Sequence, residues 1–424
     1  MMPNSLLRTT TKTGTEILIE PLPHVRSCSV GFWVKRGSCH EGPGEEGLAH
    51  FIEHTVFKGT QRYANPEVMA AATDRLGGNV DAFTGKETAC FYGKVLRDQL
   101  PELVDLLGEL VTTPLFEQEE LVRERCVILE EIAQSEDQPD DWVSELFYEH
   151  FWPGSPLAHS ILGRREQVLG YGPEQAKAFF RKTYCAPHLL IAATGDIEVE
   201  PLLSLLQPII DRLPGGSPSP KAPSKAPAPF LLNKPRKDLQ QASLVLGFPI
   251  CGHQHPDRVA VNLLSHILGG GMSSRLFMEL REKHALCYQV GSYVSHYQET
   301  GALQIMASCA PDKARELVRR SAVECRRLLE DGITAEELER SKLQARTSLV
   351  FSQESTSARM FSLAHQAIHM GRMLDLDGQI AEIDAVELDQ LHRIAQEVLR
   401  PEVMAISALG TRKGSEIRKQ DLSF

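Results

Sequence analysis

A proline-rich segment divides this chain of 424 residues into two halves of similar length. Residues 214–230 read PGGSPSPKAPSKAPAPF and contain few side chains that could pack in a core. Such a composition is typical of a linker that is semi-rigid where its prolines are densest. A chain of this length also exceeds what one hydrophobic core usually organises. We therefore expect two domains, residues 1–213 and 231–424, joined by a linker at 214–230.

Similar apolar patterns recur in the two halves at a nearly constant separation. SVGFWVKRG begins at Ser29, and SLVLGFPI begins at Ser243. Near the end of each half, LLIAATGD and VMAISALG have the pattern of buried strands, with glycines at Gly195 and Gly410. A constant offset of this kind indicates that one domain pattern was duplicated.

Each half shows strands grouped together and followed by runs of helices. An alternating apolar pattern predicts a hairpin over 79–96, with its turn near Gly85 and Lys86. Helical spacing predicts long helices at about 98–112, 117–136, 310–331, 334–352 and 355–370. Grouped elements without strict alternation are typical of the α+β class. We therefore predict two homologous α/β sandwich domains, each a mostly antiparallel sheet with helices packed on it.

The composition argues against some classes of binding partner and indicates a cellular location. A formal net charge of −11 argues against nucleic acid or an anionic membrane surface as the main partner. The chain has no apolar run of about 18 residues, so we expect no transmembrane helix. The first residues lack the apolar region of a secretory signal. Nine cysteines without a CxxC pair fit reduced thiols, so the sequence predicts a soluble cytoplasmic protein.

One short helical segment carries three titratable side chains among apolar ones. GLAHFIEHTVFKG, residues 47–59, places His50 and His54 one turn apart on the same face, with Glu53 beside them. Two imidazoles at this spacing can bind one metal ion, and the glutamate can reach a water on it. The pattern H-x-x-E-H is the inverted form of a zinc-hydrolase motif. The alternative is a histidine pair whose hydrogen bonds are satisfied in the core.

A second helical segment offers a third metal ligand. In EQEELVRERCVILEEIAQSED, Glu124 and Glu131 are two turns apart and share a face. Glu131 lies near the face expected to turn to the core, which is formed by Leu121, Val127 and Ile128. A half-buried carboxylate needs a compensating cation, and a metal ion can supply one. The alternative is that Glu124, Glu130 and Glu131 form a solvated acidic face.

The segment HFIEH followed by Glu131 resembles the HxxEH…E signature of the inverzincin (pitrilysin-like, M16) zinc metallopeptidases. The resemblance covers essentially the whole chain. A chain of this size matches the subfamily with two domains per subunit, which is similar to the mitochondrial processing peptidase β subunit and its bacterial relatives. Three further segments carry it, namely DAFTGKETACFY, YCAPHLLIAATGDI and GGGMSSRLFMELREKHALCYQVGSY.

This resemblance assigns roles to the residues of the two helices. It implies one zinc ion per chain, held by His50, His54 and Glu131, with a fourth position open for water. It implies that Glu53 is the general base and that Glu124 supports the site without binding the metal. The corresponding helix of the second half, VAVNLLSHILGG, has only His266, so we expect no second metal there.

The same resemblance extends to the substrate and to the assembly. Arg281 and Tyr288 match an Arg/Tyr pair that acts on the reacting carbonyl, although a helix-terminal cation and a packed strand tyrosine are the alternatives. An edge strand is expected to bind the substrate through Asp81, Ala82, Phe83 and Thr84.

The predicted function is a zinc-dependent endopeptidase that cleaves extended peptides or unfolded segments inside a closed chamber. We expect a homodimer in which Arg281 and Tyr288 reach the zinc of the partner chain. The alternative is a non-catalytic structural or peptide-binding subunit of a larger complex.

Overall fold

The computed structural model describes residues 6–218 and 225–422, so residues 219–224 of the predicted linker fall outside it. The described residues form two compact units. The first unit contains residues 6–133, 159–218 and 351–375, and the second contains 134–158, 225–350 and 376–422. No helix in these described ranges is both long enough and apolar enough to cross a membrane.

The secondary structure of the described residues includes eleven strands, fourteen α-helices and two π-helices, besides short 3-10 helices. The strands are β1 (Leu7–Thr10), β2 (Glu16–Pro21), β3 (Ser27–Val34), β4 (Asn79–Thr84), β5 (Ala89–Leu96), β6 (Leu189–Gly195), β7 (Leu231–Lys234), β8 (Ala242–Cys251), β9 (Cys287–His296), β10 (Thr300–Cys309) and β11 (Ala405–Leu409). The α-helices are α1 (Leu48–Val56), α2 (Pro66–Arg75), α3 (Leu100–Thr112), α4 (Gln118–Asp137), α5 (Pro139–Phe151), α6 (Arg165–Gly170), α7 (Pro173–Thr183), α8 (Val199–Arg212), α9 (Arg258–Gly269), α10 (Ala314–Glu330), α11 (Ala335–Ser352), α12 (Thr356–His365), α13 (Leu376–Asp384) and α14 (Leu388–Val398). The π-helices are Phe277–Lys283 and Gln366–Met370.

The first unit is a six-stranded sheet in the order β1-β2-β6-β3-β5-β4. Only the β2–β6 pair is parallel among these strands, so the sheet is mostly antiparallel. Its main core lies on the face where α1, α3 and α8 pack. The opposite face is covered by α12, which lies against β3 and β6. Buried Trp33 and Leu190 of the sheet meet Met360 of α12 in this smaller cluster.

The second unit has a five-stranded sheet in the order β7-β11-β8-β10-β9. Its core contains residues of α9, α10 and α14, and the opposite face of the sheet is covered by α5. This contact is close, because a Cβ on Gly247 of β8 would lie 2.2 Å from the ring of Phe147. In the same unit, Asp140 accepts hydrogen bonds from Ser243 and Ser308 at 2.7 and 2.9 Å.

The observed strand order confirms the predicted α+β class and the duplicated plan. The series β2-β6-β3-β5-β4 in the first sheet corresponds to β7-β11-β8-β10-β9 in the second. The predicted hairpin is β4 and β5. Each sheet is mixed, with one parallel pair.

The two compact units do not follow the two halves of the chain. Residues 134–158 belong to the second unit, although the sequence places them before the linker. Residues 351–375 likewise belong to the first unit. The ranges 1–213 and 231–424 therefore stay a prediction about the duplicated sequence units, since each compact unit also includes a helix encoded in the other half.

Candidate metal and catalytic site

The helix that carries the histidine motif is fixed at its N-terminus by a buried carboxylate. α1 begins after Gly47, whose φ of 89° lies in the left-handed region that glycine tolerates. Glu41 accepts hydrogen bonds from the backbone N–H groups of Gly47 and Ala49 at 2.9 and 2.8 Å. Burial raises the pKa of Glu41 to about 8 in spite of these hydrogen bonds. Glu41 was missed in the sequence, where its only signal is an acidic residue shortly before a helix.

Three side chains meet at one point beside α1. His50 Nε2 and His54 Nε2 lie 3.2 Å apart. Glu131 Oε2 of α4 lies 3.6 Å from the former and 3.5 Å from the latter. His50 is buried, and both His54 and Glu131 are half-buried. The structure therefore brings together the three residues that the sequence suggested as metal ligands.

The spacing and chemistry of these atoms fit a zinc ion. Ligand atoms about 2.0–2.1 Å from a tetrahedral zinc lie about 3.3 Å from one another. The three observed separations fall close to that value. Glu131 Oε2 is buried and has no hydrogen-bond partner among the described residues, which is costly for a carboxylate oxygen. Two imidazole nitrogens and one carboxylate oxygen form a common donor set for catalytic zinc.

The buried face of α4 differs from the predicted core-facing residues at one position. Leu121, Glu124 and Ile128 are buried as expected for residues spaced three and four apart. Val127 is 50% exposed, so the prediction that it faces the core is wrong. It lies about 100° around the helix from Ile128, on the solvent side.

A second carboxylate of α4 fixes the orientation of His54. Glu124 Oε1 accepts a hydrogen bond from His54 Nδ1 at 2.7 Å, which leaves the Nε2 lone pair directed at the other two ligand atoms. Lys58 Nζ lies 2.7 Å from Glu124 Oε2 and balances its charge. Burial alone would lower the pKa of His54, but the hydrogen bond and charge of Glu124 raise it above its ordinary value.

The pKa shifts of the other groups suit metal binding and proton transfer. Burial, together with the neighbouring His54, lowers the pKa of His50 to about 3, so this imidazole is neutral at physiological pH. Burial raises the pKa of Glu53. Its Oε2 atom is buried without a hydrogen-bond partner in the described structure, as is expected of a carboxylate that can accept a proton.

The strand predicted to bind substrate is the edge of the first sheet, and α1 packs against it. Gly85 N–H donates to Thr88 O at 2.7 Å, which makes this pair a hydrogen-bonded one of the β4–β5 ladder. Because such pairs alternate, Val80, Ala82 and Thr84 direct their backbone N–H and C=O groups away from β5.

Side chains of this edge strand alternate between two environments. Asp81 and Phe83 are exposed, and Ala82 and Thr84 are half-buried. Asp81 accepts hydrogen bonds from the Ala82 N–H at 2.8 Å and from the Tyr92 hydroxyl at 3.2 Å. The Ala82 N–H therefore has a local partner that an incoming strand would have to displace.

The predicted Arg/Tyr pair lies in the second unit, whereas the candidate metal ligands and Glu53 lie in the first. Arg281 is on the π-helix Phe277–Lys283, and Tyr288 is on the edge strand β9. The guanidinium carbon of Arg281 is 4.9 Å from the centre of the Tyr288 ring and 4.7 Å from that of Phe277. The structure thus brings Arg281 and Tyr288 together, and the Tyr288 side chain is 80% exposed.

Comparison with known proteins gives the family. Residues 16–165 match the profile described as insulinase (peptidase family M16), and residues 172–345 match the profile described as peptidase M16 inactive domain. An uncharacterized zinc protease of Streptomyces coelicolor is 33% identical over 420 residues, covering 97% of this chain and 91% of that protein. This chain belongs to peptidase family M16.

A second relative supports the same assignment, and a solved structure shares the fold. The uncharacterized zinc protease YmxG of Bacillus subtilis is 33% identical, covering 92% of this chain and 95% of that protein. A crystal structure described as peptidase M16 inactive domain from Pseudomonas fluorescens has a TM-score of 0.90 at 21% identity. It covers 96% of this chain and 98% of its own, which shows a shared fold.

Proposed function

We propose that this M16 protein is a zinc-dependent endopeptidase that cleaves extended peptides or unfolded segments. The observation that carries the proposal is the convergence of His50 Nε2, His54 Nε2 and Glu131 Oε2 at the spacing of tetrahedral zinc ligands. Relatives that span nearly the whole chain are named zinc proteases, which supports the same reaction class.

His50, His54 and Glu131 would hold one zinc ion per chain. A zinc ion at this position would supply a Lewis acid that polarises the peptide carbonyl and lowers the pKa of water. Glu53 accepts a proton from the attacking water and passes it to the leaving amine. Its raised pKa suits this work, because a carboxylate of ordinary pKa is a weaker base. Glu124 keeps His54 in the required tautomer.

The open edge of β4 supports a proposal for how the substrate binds. A peptide that adds as a further strand would bond with the backbone groups of Val80, Ala82 and Thr84. Main-chain hydrogen bonds of this kind provide affinity with little demand on side-chain sequence. The exposed side chains of Asp81 and Phe83 would then contact alternate residues of the peptide.

We assign Arg281 and Tyr288 to the substrate carbonyl, where a guanidinium and a phenol can stabilise an oxyanion. We further propose a homodimer with composite active sites, in which this pair acts on the zinc site of the partner chain. Mixing Arg281→Ala subunits with Glu53→Gln subunits tests this arrangement. Partial recovery of peptidase activity is expected in mixed dimers, and no recovery would contradict action in trans.

Metal analysis provides the first test of the zinc proposal. We expect about one zinc ion per purified chain, with loss of both zinc and peptidase activity on chelation and recovery of both on adding zinc. His50→Ala should abolish zinc binding, and His266→Ala, in the helix of the second unit, should leave it unchanged. Full zinc occupancy in His50→Ala would place the metal elsewhere.

The second candidate function is a non-catalytic subunit that binds peptides or supports a larger complex. The match of residues 172–345 to the profile described as an inactive domain favours this alternative. It predicts zinc binding without turnover.

A cytoplasmic location is proposed for either function, because all nine cysteines are unpaired, as reduced thiols would be.

A further inference from the structure

A buried carboxylate lies on the same π-helix as Arg281 and is surrounded by basic side chains. Glu279 is 3% exposed. Its oxygens lie 3.3 Å from Lys283 Nζ and 3.1 Å from His284 Nε2. Arg320 Nη1 and Arg327 Nη1 approach it at 3.1 and 3.4 Å. Burial alone would raise the pKa of Glu279, but Lys283, Arg320 and Arg327 lower it, so the group is an anion at neutral pH.

This cluster fastens the π-helix to α10. Arg320 and Arg327 both belong to α10, and Arg320 also donates to His284 Nε2 at 2.6 Å. Lys313, just before α10, donates from Nζ to the Ala285 carbonyl at 3.2 Å. Two basic side chains of α10 and the lysine at its N-terminus therefore hold the π-helix and the turn that follows it.

The π-helix and the turn that follows it connect Arg281 to Tyr288 along the chain, so their position sets the distance between these two side chains. Between them the chain passes through Ala285, whose φ of 47° is strained for a residue other than glycine. The Ala285 N–H donates to Arg281 O at 3.0 Å, and the Leu286 N–H donates to Leu280 O at 2.9 Å. A π-helix is itself uncommon and often occurs at functional sites. A strained turn of this kind persists only where surrounding contacts determine it.

We propose that Glu279 is a positioning residue that holds Arg281 against Tyr288 in the arrangement used to bind the reacting carbonyl. The inference rests on the proposed peptidase function and adds to it a residue that touches neither zinc nor substrate. Glu279 acts by anchoring the π-helix to α10, so its effect reaches the reaction through Arg281.

Kinetics of Glu279→Gln test this role. The substitution keeps the shape of the side chain and removes its charge. We expect kcat to fall about ten- to hundredfold, because a small displacement of a group that stabilises the transition state is costly. KM and zinc content should change little. In an Arg281→Ala background the same substitution should cause no further loss, since its effect passes through Arg281.

Asp421→Asn is the matched control. Asp421 is a buried carboxylate of the same unit, and it accepts from Arg315 of α10 at 2.8 Å. Its substitution should lower thermal stability and leave kcat unchanged. A normal kcat in Glu279→Gln would overturn the proposal, as would an equal further loss in the Arg281→Ala background.

A measurement independent of turnover separates this inference from the peptidase proposal. Nuclear Overhauser contacts between the Arg281 side chain and the ring of selectively labelled Tyr288 report their approach directly. We expect them in the wild-type protein and in Asp421→Asn, and we expect their loss in Glu279→Gln. Retained contacts in Glu279→Gln would overturn the positioning role even if the wild-type protein proved inactive. Zinc-loaded wild-type protein without turnover would overturn only the peptidase function.

Discussion

The position of the proton on His54 depends on Glu124. Glu124 accepts from Nδ1 and so leaves Nε2 free to bind a metal ion. Glu124→Gln replaces the anion with a neutral amide that supports the tautomer poorly. We expect zinc affinity to fall about 10- to 100-fold, as is typical when such a partner is lost. Competition with a chromophoric chelator at pH 8 measures the change. An unchanged affinity would contradict this role of Glu124.

The raised pKa of His54 predicts how zinc affinity depends on pH. A proton on Nε2 competes with the metal, so affinity should weaken as the pH falls through the raised pKa, by about tenfold per unit well below it. His50 contributes little to this slope, because its pKa is lowered to about 3. In Glu124→Gln the zinc affinity should begin to weaken at a lower pH. If zinc affinity begins to weaken at the same pH in both proteins, Glu124 is not the cause of the raised pKa of His54.

In the metal-free protein, the raised pKa of His54 stabilises the fold at low pH, whereas in the zinc-bound protein low pH weakens metal binding. A histidine whose folded pKa exceeds its unfolded value of 6.5 stabilises the fold below that pH. This contribution is lost as the pH rises through the folded pKa. In the metal-free protein, stability should therefore decrease as the pH rises from 6.5 through the raised pKa of His54, which thermal unfolding in the presence of chelator measures.

At the scale of elements, α1 depends on Glu41 for its first turn. Glu41→Ala would leave the buried N–H groups of Gly47 and Ala49 without an acceptor. We expect a loss of about 2 kcal/mol in the free energy of unfolding, together with weaker zinc binding. Glu102→Ala is the control, because Glu102 is an exposed acid in the first turn of α3. Equal losses in the two variants would contradict the capping role.

The edge strand β4 permits a paired test of substrate binding. Ala82 directs its N–H to the open edge, whereas Phe83 directs its N–H to β5. Ala82→Pro should raise KM for peptides and leave the sheet intact, since Pro is tolerated at an edge. Phe83→Pro removes a ladder hydrogen bond and should lower thermal stability. Peptide KM and melting temperature measure the two effects, and an unchanged KM in Ala82→Pro would argue against strand addition.

The sequence predicted these elements well where a local pattern carried the information. Helical spacing was enough to place His50, His54 and Glu131 on the correct faces, and alternation located the hairpin. Val127 was placed wrongly, because apolar character alone does not fix the rotation of a helix. Glu41 was missed, because its partners are backbone groups that no side-chain pattern reveals.

At the scale of the whole molecule, each compact unit contains a helix encoded in the other half of the chain. The sequence could not show this exchange, because α5 and α12 are ordinary helices whose packing partners are distant along the chain. In the first unit α12 covers Trp33 and Leu190, and Arg359 pairs with Glu20 at 2.9 Å. Repeated patterns predict the duplicated fold, but they carry no signal for which sheet each helix covers.

The exchange predicts how fragments behave. A fragment of residues 1–213 would lack α12 and expose the apolar face that contains Leu18, Trp33 and Leu190. We expect it to aggregate or to bind a hydrophobic dye strongly. Joining residues 351–375 to this fragment through a flexible linker should reduce both effects. A monodisperse fragment 1–213 with native-like stability would contradict the importance of the exchanged helix.

The most direct test of the central claim compares the hydrolysis of a quenched peptide library by wild-type protein and Glu53→Gln at equal zinc content. The proposed mechanism predicts cleavage by the wild-type protein that a chelator abolishes. It predicts a rate about 10²- to 10⁴-fold lower for Glu53→Gln, whose amide cannot accept the proton of water. Equal turnover by the two proteins, or no turnover by fully zinc-loaded wild-type protein, would contradict it.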